Sequence, residues 1–374
     1  MKTVLVLGGG MMGRAIARIL AKDFAVTVAD ISPDVRTAFK NTECITTLIA
    51  DVSDRYITAL AKKFDCIVTA LPGKIAFSVL KNVIRAGRPI VDISFFDEDP
   101  YRLQELARKH RTPLIIDFGI APGLSNLMLG RQMTLMQVEK FVCYCGGLPE
   151  HAEASWFYKA PFEIASAMDI CTRPARMRMN DEIVVQSAMS DYEIVYFDGI
   201  GGLEAFATDG LRTLLNLPVP MMIEKTLRHI GFRRIIRPFI DSGFFSEEPI
   251  AMHGVLVSPF EITEKLLRKA WALAPEEKEF TALRLLFEGG NSRFVYDLVD
   301  RGDRELGMTS MARLVGYTCA SMVHAFAEGL VEKPGIIPPE EIGMQSDVAN
   351  FVLNFLASHG VQFTIRFANT ESRA

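Results

Sequence analysis

Short apolar runs alternate with amphipathic stretches over the first 120 residues of the chain. Residues 3–7 form an apolar, β-branched run, which is typical of a strand buried on both faces of a parallel sheet. A helix-like stretch from 11 to 22 follows, with its apolar positions on one face. Strands are predicted in the same way at 25–29, 66–71, 89–93 and 113–116, and helices at 75–86 and 101–109. The alternation predicts βαβ units and an α/β fold built on a doubly wound parallel sheet.

The pattern changes after Ala121-Pro122-Gly123. Strand-like segments then dominate, and they predict a second α+β domain with a mixed sheet. Its predicted strands include Val184, 192–197 and 252–257, and its predicted helices are 219–230 and 232–241. A long helix at 308–329, rich in small residues, is expected to return to the first domain. The predicted domains are therefore residues 1–122 with 308–374, and residues 123–307.

The turn between the first strand and the first helix carries the sequence G-x-G-x-x-G at Gly8–Gly13. Gly8 suits the tight turn, Gly10 lets the backbone approach a pyrophosphate, and Gly13 lets helix and strand pack closely. The free N–H groups of the helix N-terminus attract phosphate. Asp30 lies about 20 residues on, at the end of the second strand, where a carboxylate accepts hydrogen bonds from ribose hydroxyls. This combination predicts a Rossmann dinucleotide-binding domain.

The residues around Asp30 bear on the choice of cofactor. A carboxylate repels a 2′-phosphate, the following Ile31–Pro33 contains no arginine to hold one, and Arg36 lies further along. NAD is therefore expected rather than NADP. The later strand ends are expected to line the adenine and the nicotinamide. The predicted cofactor contacts are Gly8, Gly10, Met11, Met12, Gly13, Asp30, Asp51, Val52, Leu71, Pro72 and Ser94.

Composition removes several classes of function. The chain has 374 residues and a net charge of −4 with no long basic run, which argues against a nucleic-acid-binding protein. It has no apolar run long enough to span a membrane, and glycines and Arg14 interrupt the apolar N-terminal stretch where a signal peptide would need continuity. A cytoplasmic location is expected. The six cysteines contain no C-x-x-C pair and the histidines show no metal spacing, so no metal is expected.

Polar residues at strand ends and in the second domain are the candidates for chemistry. Asp92 and Asp117 each follow a buried strand, and each is either a structural cap or a site residue. The stretch Gly119–Gly123 is interpreted as a hinge into the second domain, or else as a plain linker. A carboxylate ligand favours bidentate arginine, and an ammonium favours Asp or Glu. The candidates in the second domain are Tyr158, Lys159, Arg173, Glu204, Thr208, Asp209, Arg212 and Arg228.

Several of these motifs resemble the saccharopine dehydrogenase (reductase-type) family over roughly residues 1–330. They are Asp92-Ile93-Ser94, Gly119-x-Ala121-Pro122-Gly123 and Cys145-Gly146-Gly147-Leu148-Pro149. Residues 158–159, 172–175, 199–206 and 208–215 narrow the resemblance toward lysine 6-dehydrogenase, whereas residues 226–228 and 231–232 are shared more widely in the family. Two positions depart from that pattern: Gly202 replaces a hydroxyl residue, and Ile170-Cys171 replaces an acidic–aromatic pair.

The resemblance implies NAD-dependent oxidation of the ε-amine carbon of L-lysine to an imine, which hydrolyses to the semialdehyde and ammonia. It implies a base that takes the amine proton, with Lys159, Asp92 and Asp117 as candidates in falling order. In this interpretation Arg173 and Arg212 hold the α-carboxylate and Asp209 or Glu204 the α-ammonium. A homodimer that meets through the sheet of the second domain is also implied. The alternatives are a saccharopine or other opine-type dehydrogenase, and a non-catalytic NAD-binding sensor.

Overall fold

The computed structural model of the chain describes residues 1–40, 42, 44–151, 156–160, 163–274, 277–303 and 307–369. It contains two compact units, residues 1–136 with 312–362, and residues 137–311 with 363–374. The strands are β1 (Thr3–Leu7), β2 (Ala25–Asp30), β3 (Ile45–Ile49), β4 (Cys66–Thr69), β5 (Ile90–Asp92), β6 (Pro113–Ile115), β7 (Lys140–Pro149), β8 (Ala175–Met179), β9 (Glu182–Gln186), β10 (Glu193–Phe197), β11 (Gly201–Ala207), β12 (Met221–His229), β13 (Ile250–Met252), β14 (Val255–Val257), β15 (Glu279–Gly289), β16 (Ser292–Arg301), β17 (Gly335–Ile337) and β18 (Thr364–Asn369). The α-helices are α1 (Met11–Leu20), α2 (Asp34–Ala38), α3 (Ile57–Ala61), α4 (Gly73–Val83), α5 (Gln104–Lys109), α6 (Leu124–Leu135), α7 (Ile164–Asp169), α8 (Phe232–Asp241), α9 (Pro259–Ala270), α10 (Ser310–Ala327), α11 (Pro339–Met344) and α12 (Ser346–Ser358).

The first unit contains a parallel sheet in the order β17-β6-β5-β4-β1-β2-β3. Strand β1 pairs with β2 on one side and with β4 on the other, both in parallel. The direction of winding therefore reverses at β1, and the carboxyl ends of β1 and β4 form the switch point where such sheets bind ligands. The prediction of a doubly wound α/β domain is confirmed.

Burial explains why these short runs form central strands. Residues 4–7 of β1 are all fully buried, as a strand covered on both faces requires. The long helix α10 packs against α1, because a Cβ on Gly316 would lie 2.6 Å from Cδ1 of Ile19. The ring of His324 lies 4.9 Å from that of Phe24. The long helix expected from the sequence thus belongs mainly to the first unit.

The second unit contains a mixed sheet in the order β10-β11-β12-β7-β15-β16-β18, with β8 and β9 attached to β12. Strands β12 and β7 are parallel, and the other pairs are antiparallel. Residues of α7, α8 and α9 form one buried core with Phe206 of β11. The predicted second domain with a mixed sheet is confirmed as an architecture.

The prediction of a helix at 219–230 is wrong, because this segment is the central strand β12. The charges at Glu224, Lys225 and Arg228 imitate the spacing of an exposed helical face. In the structure all three are buried, and Lys225 is neutralised by Asp191 at 2.8 Å and Glu193 at 2.5 Å. Tertiary pairing therefore overrides the local pattern.

Residues 252–257, predicted as one strand, are instead parts of the antiparallel hairpin β13–β14. His253 and Gly254 turn between its strands with φ of 51° and 81°. A Gly at the second of two positive-φ positions is the turn chemistry that a two-residue hairpin needs.

The bounds of the two units differ from the predicted ones. Helix α6 lies in the first unit and packs closely against α11. A Cβ on Gly130 of α6, or on Gly343 of α11, would lie 2.0 Å from a carbonyl oxygen of the other helix, so these glycines allow the two backbones to meet. At the other end, β18 pairs with β16 and belongs to the second sheet.

The stretch 119–123, predicted as a hinge or linker, is a tight loop inside the first unit. Gly119 and Gly123 form a backbone bridge. Gly123 has φ +127°, and a Cβ there would lie 2.2 Å from the carbonyl oxygen of Gly119.

Among the helices that the structure describes, none combines the length and the apolar character that a membrane span requires.

Candidate functional site

The glycine loop between β1 and α1 has the geometry that its motif predicts. Gly8 has φ +103°, and a Cβ there would lie 2.2 Å from the carbonyl oxygen of Ala70. A Cβ on Gly13 would lie 2.0 Å from the carbonyl oxygen of Gly8. Gly10, the N-cap of α1, has no protein atom within 4 Å of its Cβ position. Two glycines thus close the turn, and the third leaves open space in front of the helix N-terminus, where an anion binds.

Asp30, the predicted ribose-binding carboxylate, fixes this loop. Its carboxylate accepts hydrogen bonds from the backbone N–H of Gly9 at 2.6 Å and of Ser32 at 2.7 Å. Arg14 donates from Nε to the carbonyl oxygen of Gly9 at 2.7 Å. Arg14 was not predicted as a site residue, because its contact depends on the folded loop and not on the motif.

Loops at the carboxyl ends of β3, β4 and β5 carry the remaining predicted cofactor residues. Asp51 accepts hydrogen bonds from Ser53, which lower the pKa of its exposed carboxyl, while the neighbouring Val52 is buried in the core. The backbone N–H of Leu71 donates to Oγ of Ser94 at 3.1 Å. Ser94 thus ties the loop after β4 to the loop after β5.

Asp92, at the end of β5, is the most perturbed acid of this edge. It is fully buried, and one carboxylate oxygen accepts from Oγ1 of Thr69 at 2.5 Å and from the backbone N–H of Ser94 at 3.2 Å. The other oxygen, Oδ2, has no partner. Burial raises the pKa of Asp92 to about 7, and the negative charge of Asp117 adds to the effect. Asp92 is therefore an acid that can gain or lose a proton near neutral pH.

Asp117 lies close enough to influence Asp92 and is itself buried, with 2% of its surface exposed. Its φ of 53° is unusual for a residue other than glycine. The structure thus brings Asp92, Ser94 and Asp117 together at one sheet edge.

In the second unit, Arg228 of β12 lies against an aromatic cluster that consists of Tyr158, Phe206, Phe232 and Trp271. Only 1% of Arg228 is exposed. Its Cζ lies 4.4 Å from the ring centroid of Tyr158 and 5.4 Å from that of Phe232. Nη1 donates to the carbonyl oxygen of Leu227 at 2.8 Å, whereas Nε and Nη2 have no partner. A buried guanidinium with unsatisfied nitrogens is costly unless an anion binds it.

Other predicted substrate residues are engaged within the protein. Both oxygens of Glu204 accept backbone N–H groups at the start of α8, from Gly231 at 3.0 Å and Arg233 at 2.6 Å. Arg173 forms an ion pair with Asp169 at 2.6 Å. Asp169 is the last residue of α7, and Arg173 follows it four residues later. These contacts give Glu204 and Arg173 structural roles in this conformation.

Asp209 forms a two-point ion pair with Arg176, at 2.8 and 2.9 Å. Thr208 exchanges a hydrogen bond of 3.0 Å with Thr226. Arg212 begins a short 3-10 helix with φ of 52°. In the dense run 204–213, Glu204, Thr208 and Asp209 are therefore each bonded to another part of the second unit.

Lys159 does not meet the conditions of a lysine base. Its Nζ donates to the carbonyl oxygen of Ala272 at 3.0 Å and lies 3.6 Å from a carboxylate oxygen of Glu277. A base would need apolar surroundings or a neighbouring cation, whereas Lys159 has an anionic neighbour and a side chain that is 32% exposed.

Sequence reasoning missed two polar residues of the second unit. Arg176 is the partner of Asp209. Glu224 of β12 is buried, and burial with the charge of Asp209 raises its pKa to about 8. Glu224 and Arg228 are four residues apart on strand β12 and therefore share a face.

The structure offers no support for thiolate or metal chemistry in the part it describes. Burial raises the pKa of Cys66, Cys145 and Cys171 to about 12. No group of three or more potential ligands among the described residues could hold a metal ion.

Two family models match the chain. Residues 4–114 match the saccharopine dehydrogenase NADP binding domain, and residues 119–361 match the saccharopine dehydrogenase C-terminal domain. The chain is 24% identical over 286 residues to alpha-aminoadipic semialdehyde synthase of Arabidopsis thaliana, covering 66% of this chain and 27% of that protein. It is 22% identical over 303 residues to saccharopine dehydrogenase [NADP(+), L-glutamate-forming] of Pyricularia oryzae, covering 72% of this chain and 64% of that protein.

A solved structure has the same fold along its whole length. Apo saccharopine dehydrogenase (L-Glu forming) of Saccharomyces cerevisiae superposes with a TM-score of 0.82 at 18% sequence identity. The match covers 98% of this chain and all of that one. The chain thus spans between about a quarter and two thirds of the first two curated relatives, and it is similar to this structure over nearly its full length.

Proposed function

The chain belongs to the saccharopine dehydrogenase family, as its motifs indicated, and on that premise we propose that it is a nicotinamide-dinucleotide-dependent oxidoreductase acting on a carbon–nitrogen bond of an amino acid. The observation that carries the proposal on the cofactor side is the glycine loop, which leaves room in front of the α1 N-terminus. The observation on the substrate side is the unpaired guanidinium of Arg228.

The first unit has the features that a dinucleotide needs. The Gly8–Gly13 loop and the first N–H groups of α1 would hold the pyrophosphate, and Asp30 the adenosine ribose. The bound cofactor supplies the hydride acceptor. We propose NAD rather than NADP, because the Asp30 carboxylate repels a 2′-phosphate. The matching family domain is described as NADP binding, so both cofactors are tested.

The proposed reaction removes a hydride from the carbon next to the amine and a proton from its nitrogen. The resulting imine takes up water and releases ammonia if the substrate is a primary amine, or a second amino acid if it is a secondary amine. The protein must bind the amine in its neutral form, since a protonated nitrogen has no electron pair to form the imine.

We propose Asp92 in place of Lys159 as the first candidate for the group that handles this proton. Asp92 ends a strand at the switch-point edge, and its pKa of about 7 allows it to act in either direction. Asp117 is the second candidate, because it lies close enough to Asp92 for its charge to raise the pKa of that carboxyl.

L-Lysine, oxidised at its ε-carbon, is the first proposed substrate. Saccharopine carries more carboxylates than lysine, so its pocket should bring several arginines together. Arg228 supplies the guanidinium that lies against the aromatic cluster. One guanidinium at this place favours a ligand with a single carboxylate. Saccharopine remains the second candidate, because relatives with this activity in their names match the chain.

One set of assays separates the candidates. The protein is incubated with NAD or NADP and with L-lysine or L-saccharopine, and formation of the reduced cofactor is followed together with ammonia. We expect reduction with L-lysine and release of ammonia. Turnover of saccharopine alone contradicts the lysine proposal, and cofactor binding without any amine-dependent reduction supports a sensor instead.

We also propose that two chains associate through the sheet of the second unit. Its edge strand β18 exposes Ile365 and Phe367, and the other edge strand, β10, exposes Tyr196. Exposed apolar residues on edge strands invite pairing with another chain. Light scattering on the purified protein tests the proposal, and a monomeric mass contradicts it.

A further inference from the structure

A cavity of about 680 Å³ lies at the start of α8 in the second unit. The apolar part of its wall includes Phe157, Tyr192 and Ile230. Three arginines of α8 line the same cavity: Arg233, Arg234 and Arg237. Arg228 is not one of the lining residues, so this cavity differs from the substrate site proposed above. Small-molecule sites have volumes of roughly 300–1,000 Å³ and combine apolar walls with a few polar groups, and this cavity meets both conditions.

The three arginines of the cavity keep most of their N–H donors free of protein acceptors. Nε of Arg233 donates to the carbonyl oxygen of Met189 at 3.1 Å, and Nε of Arg237 donates to Asp241 at 2.9 Å. In the part of the chain that the structure describes, the terminal nitrogens of both have no acceptor, and Arg234 has neither a hydrogen bond nor an ion pair. These planar groups are therefore available to bind a phosphate or a carboxylate.

The placement of the charges on α8 is unfavourable for the helix itself. Arg233 and Arg234 lie in its first turn, where the helix dipole disfavours positive charge. Arg233 and Arg237 are four residues apart, so two like charges lie side by side on the helix surface. The last residue, Asp241, is acidic at the end where the dipole disfavours negative charge. An anion bound between the arginines would relieve the repulsion among them.

The two carboxylates in the cavity wall, Glu204 and Asp241, do not neutralise the three arginines. The oxygens of Glu204 accept the N–H groups of Gly231 and Arg233 at 3.0 and 2.6 Å. The N-terminus of α8 is thus already satisfied and is not itself the anion site. Asp241 pairs with Arg237. The wall therefore keeps more positive than negative charge, and that charge is carried by the arginine side chains.

We propose that this cavity binds a second ligand, a small anionic molecule with an apolar body. The arginines would bind its phosphate or carboxylate headgroup. The ring of Tyr192 lies 5.4 Å from Cζ of Arg233 and would pack against the apolar body. Tyr192 and Ile230 are 46% and 51% exposed, so their apolar surface is available to a ligand. The proposal goes beyond the proposed function and does not rest on it.

Four probes are titrated calorimetrically into the full-length protein: phenyl phosphate, phenylacetate, benzyl alcohol and inorganic phosphate. The first two combine an anionic headgroup with an apolar ring, benzyl alcohol lacks the charge, and inorganic phosphate lacks the ring. We expect both aromatic anions to bind, and the other two probes to bind at least about tenfold more weakly, because each lacks one of the two features that the cavity recognises. The tighter of the two aromatic anions identifies the headgroup.

Arg234→Gln tests the arginines without disturbing the fold, because Arg234 is exposed and forms no printed contact within the chain. The Kd of the aromatic anions should rise about tenfold with the loss of a charge-assisted hydrogen bond. The melting temperature should stay the same or rise, because a positive charge leaves the first turn of α8. Arg268→Gln is the matched control: it removes the same charge from α9, where Arg268 pairs with Glu264 outside the cavity wall, and should leave the Kd unchanged.

None of the probes carries an amine, so a failure of the proposed reaction leaves this test intact. Arg228→Met should not change the Kd of the aromatic anions, because Arg228 lies outside the cavity wall. The proposal is overturned if neither aromatic anion binds, or if benzyl alcohol or inorganic phosphate binds as tightly as they do. It is equally overturned if Arg234→Gln binds them as the wild type does, or if Arg268→Gln or Arg228→Met weakens them as much as Arg234→Gln.

Discussion

Replacing Asp92 by asparagine should remove a large pH dependence from the stability of the first unit. Burial raises the pKa of Asp92 from 3.8 to about 7 in the folded chain. Because the folded state holds this proton more tightly than the unfolded state, the stabilisation is complete below about pH 3.8 and is lost as the pH rises through about 7. The difference between the two pKa values corresponds to about 4 kcal/mol of unfolding free energy.

Asparagine keeps the local geometry and removes the charge. Its amide oxygen can accept from Thr69 Oγ1 and the Ser94 N–H, as the aspartate does, and it does not titrate. More than half of the wild-type loss, about 3 kcal/mol, falls between about pH 5 and about pH 8. The difference between wild type and Asp92→Asn should change by that amount over this range, with the variant gaining relative stability at the higher pH.

Urea unfolding followed by far-ultraviolet circular dichroism measures this difference. Other acids with raised pKa values, such as Glu224 and Glu279, are present in both proteins and cancel. Tryptophan fluorescence reports on the second unit, because Trp156 and Trp271 both lie there. It serves as the control for a substitution in the first unit. Equal losses of free energy in the two proteins would refute the view that Asp92 is neutral when buried.

Four further substitutions test the proposed binding groups. Asp30→Asn should reduce the preference for NAD over NADP about tenfold, because it removes the charge that repels a 2′-phosphate. The preference is measured as the ratio of the two kcat/KM values, and an unchanged ratio would show that Asp30 does not face the ribose. Gly13→Ala should lower both the melting temperature and the dinucleotide affinity, because the Cβ would lie 2.0 Å from the carbonyl oxygen of Gly8. Gly10→Ala should reduce affinity with little effect on the melting temperature, since no protein atom lies within 4 Å, and unchanged affinity would contradict a phosphate at that position. Arg228→Met should raise KM at least about tenfold while leaving the ligand-free protein as stable or more stable; an unchanged KM would remove Arg228 from the substrate site.

The first unit could be predicted from the sequence because its signals are local. Five of the strands in its sheet, such as β1, are short apolar runs that were predicted from the sequence, and the periodicity of α1 follows directly, whereas β17 was not predicted. The requirement for Gly8 and Gly13 is a backbone requirement, so it can be read from spacing alone.

The second unit could be predicted only in outline, because its strands carry charges whose partners are distant in sequence. Lys225 is neutralised by Asp191 and Glu193, and Asp209 by Arg176. Nothing in the run 204–213 distinguishes a carboxylate that awaits a ligand from one that caps a helix, as Glu204 does. The role of each group depends on which backbone N–H or side chain the fold brings to it.

The two residues that best support a function, Asp92 and Arg228, are among the described residues that carry buried polar atoms without a partner. Asp92 is buried with an unpaired oxygen, and Arg228 is buried with two unpaired nitrogens. Each arrangement costs folding free energy, whereas the buried charge of Lys225 has partners at short distance. In the proposed function, each group gains the partner that the folded chain does not supply. That partner is a proton for Asp92 and a carboxylate for Arg228. The unpaired atoms of Asp92 and Arg228 therefore support the candidate chemistry of the two units independently of the motifs.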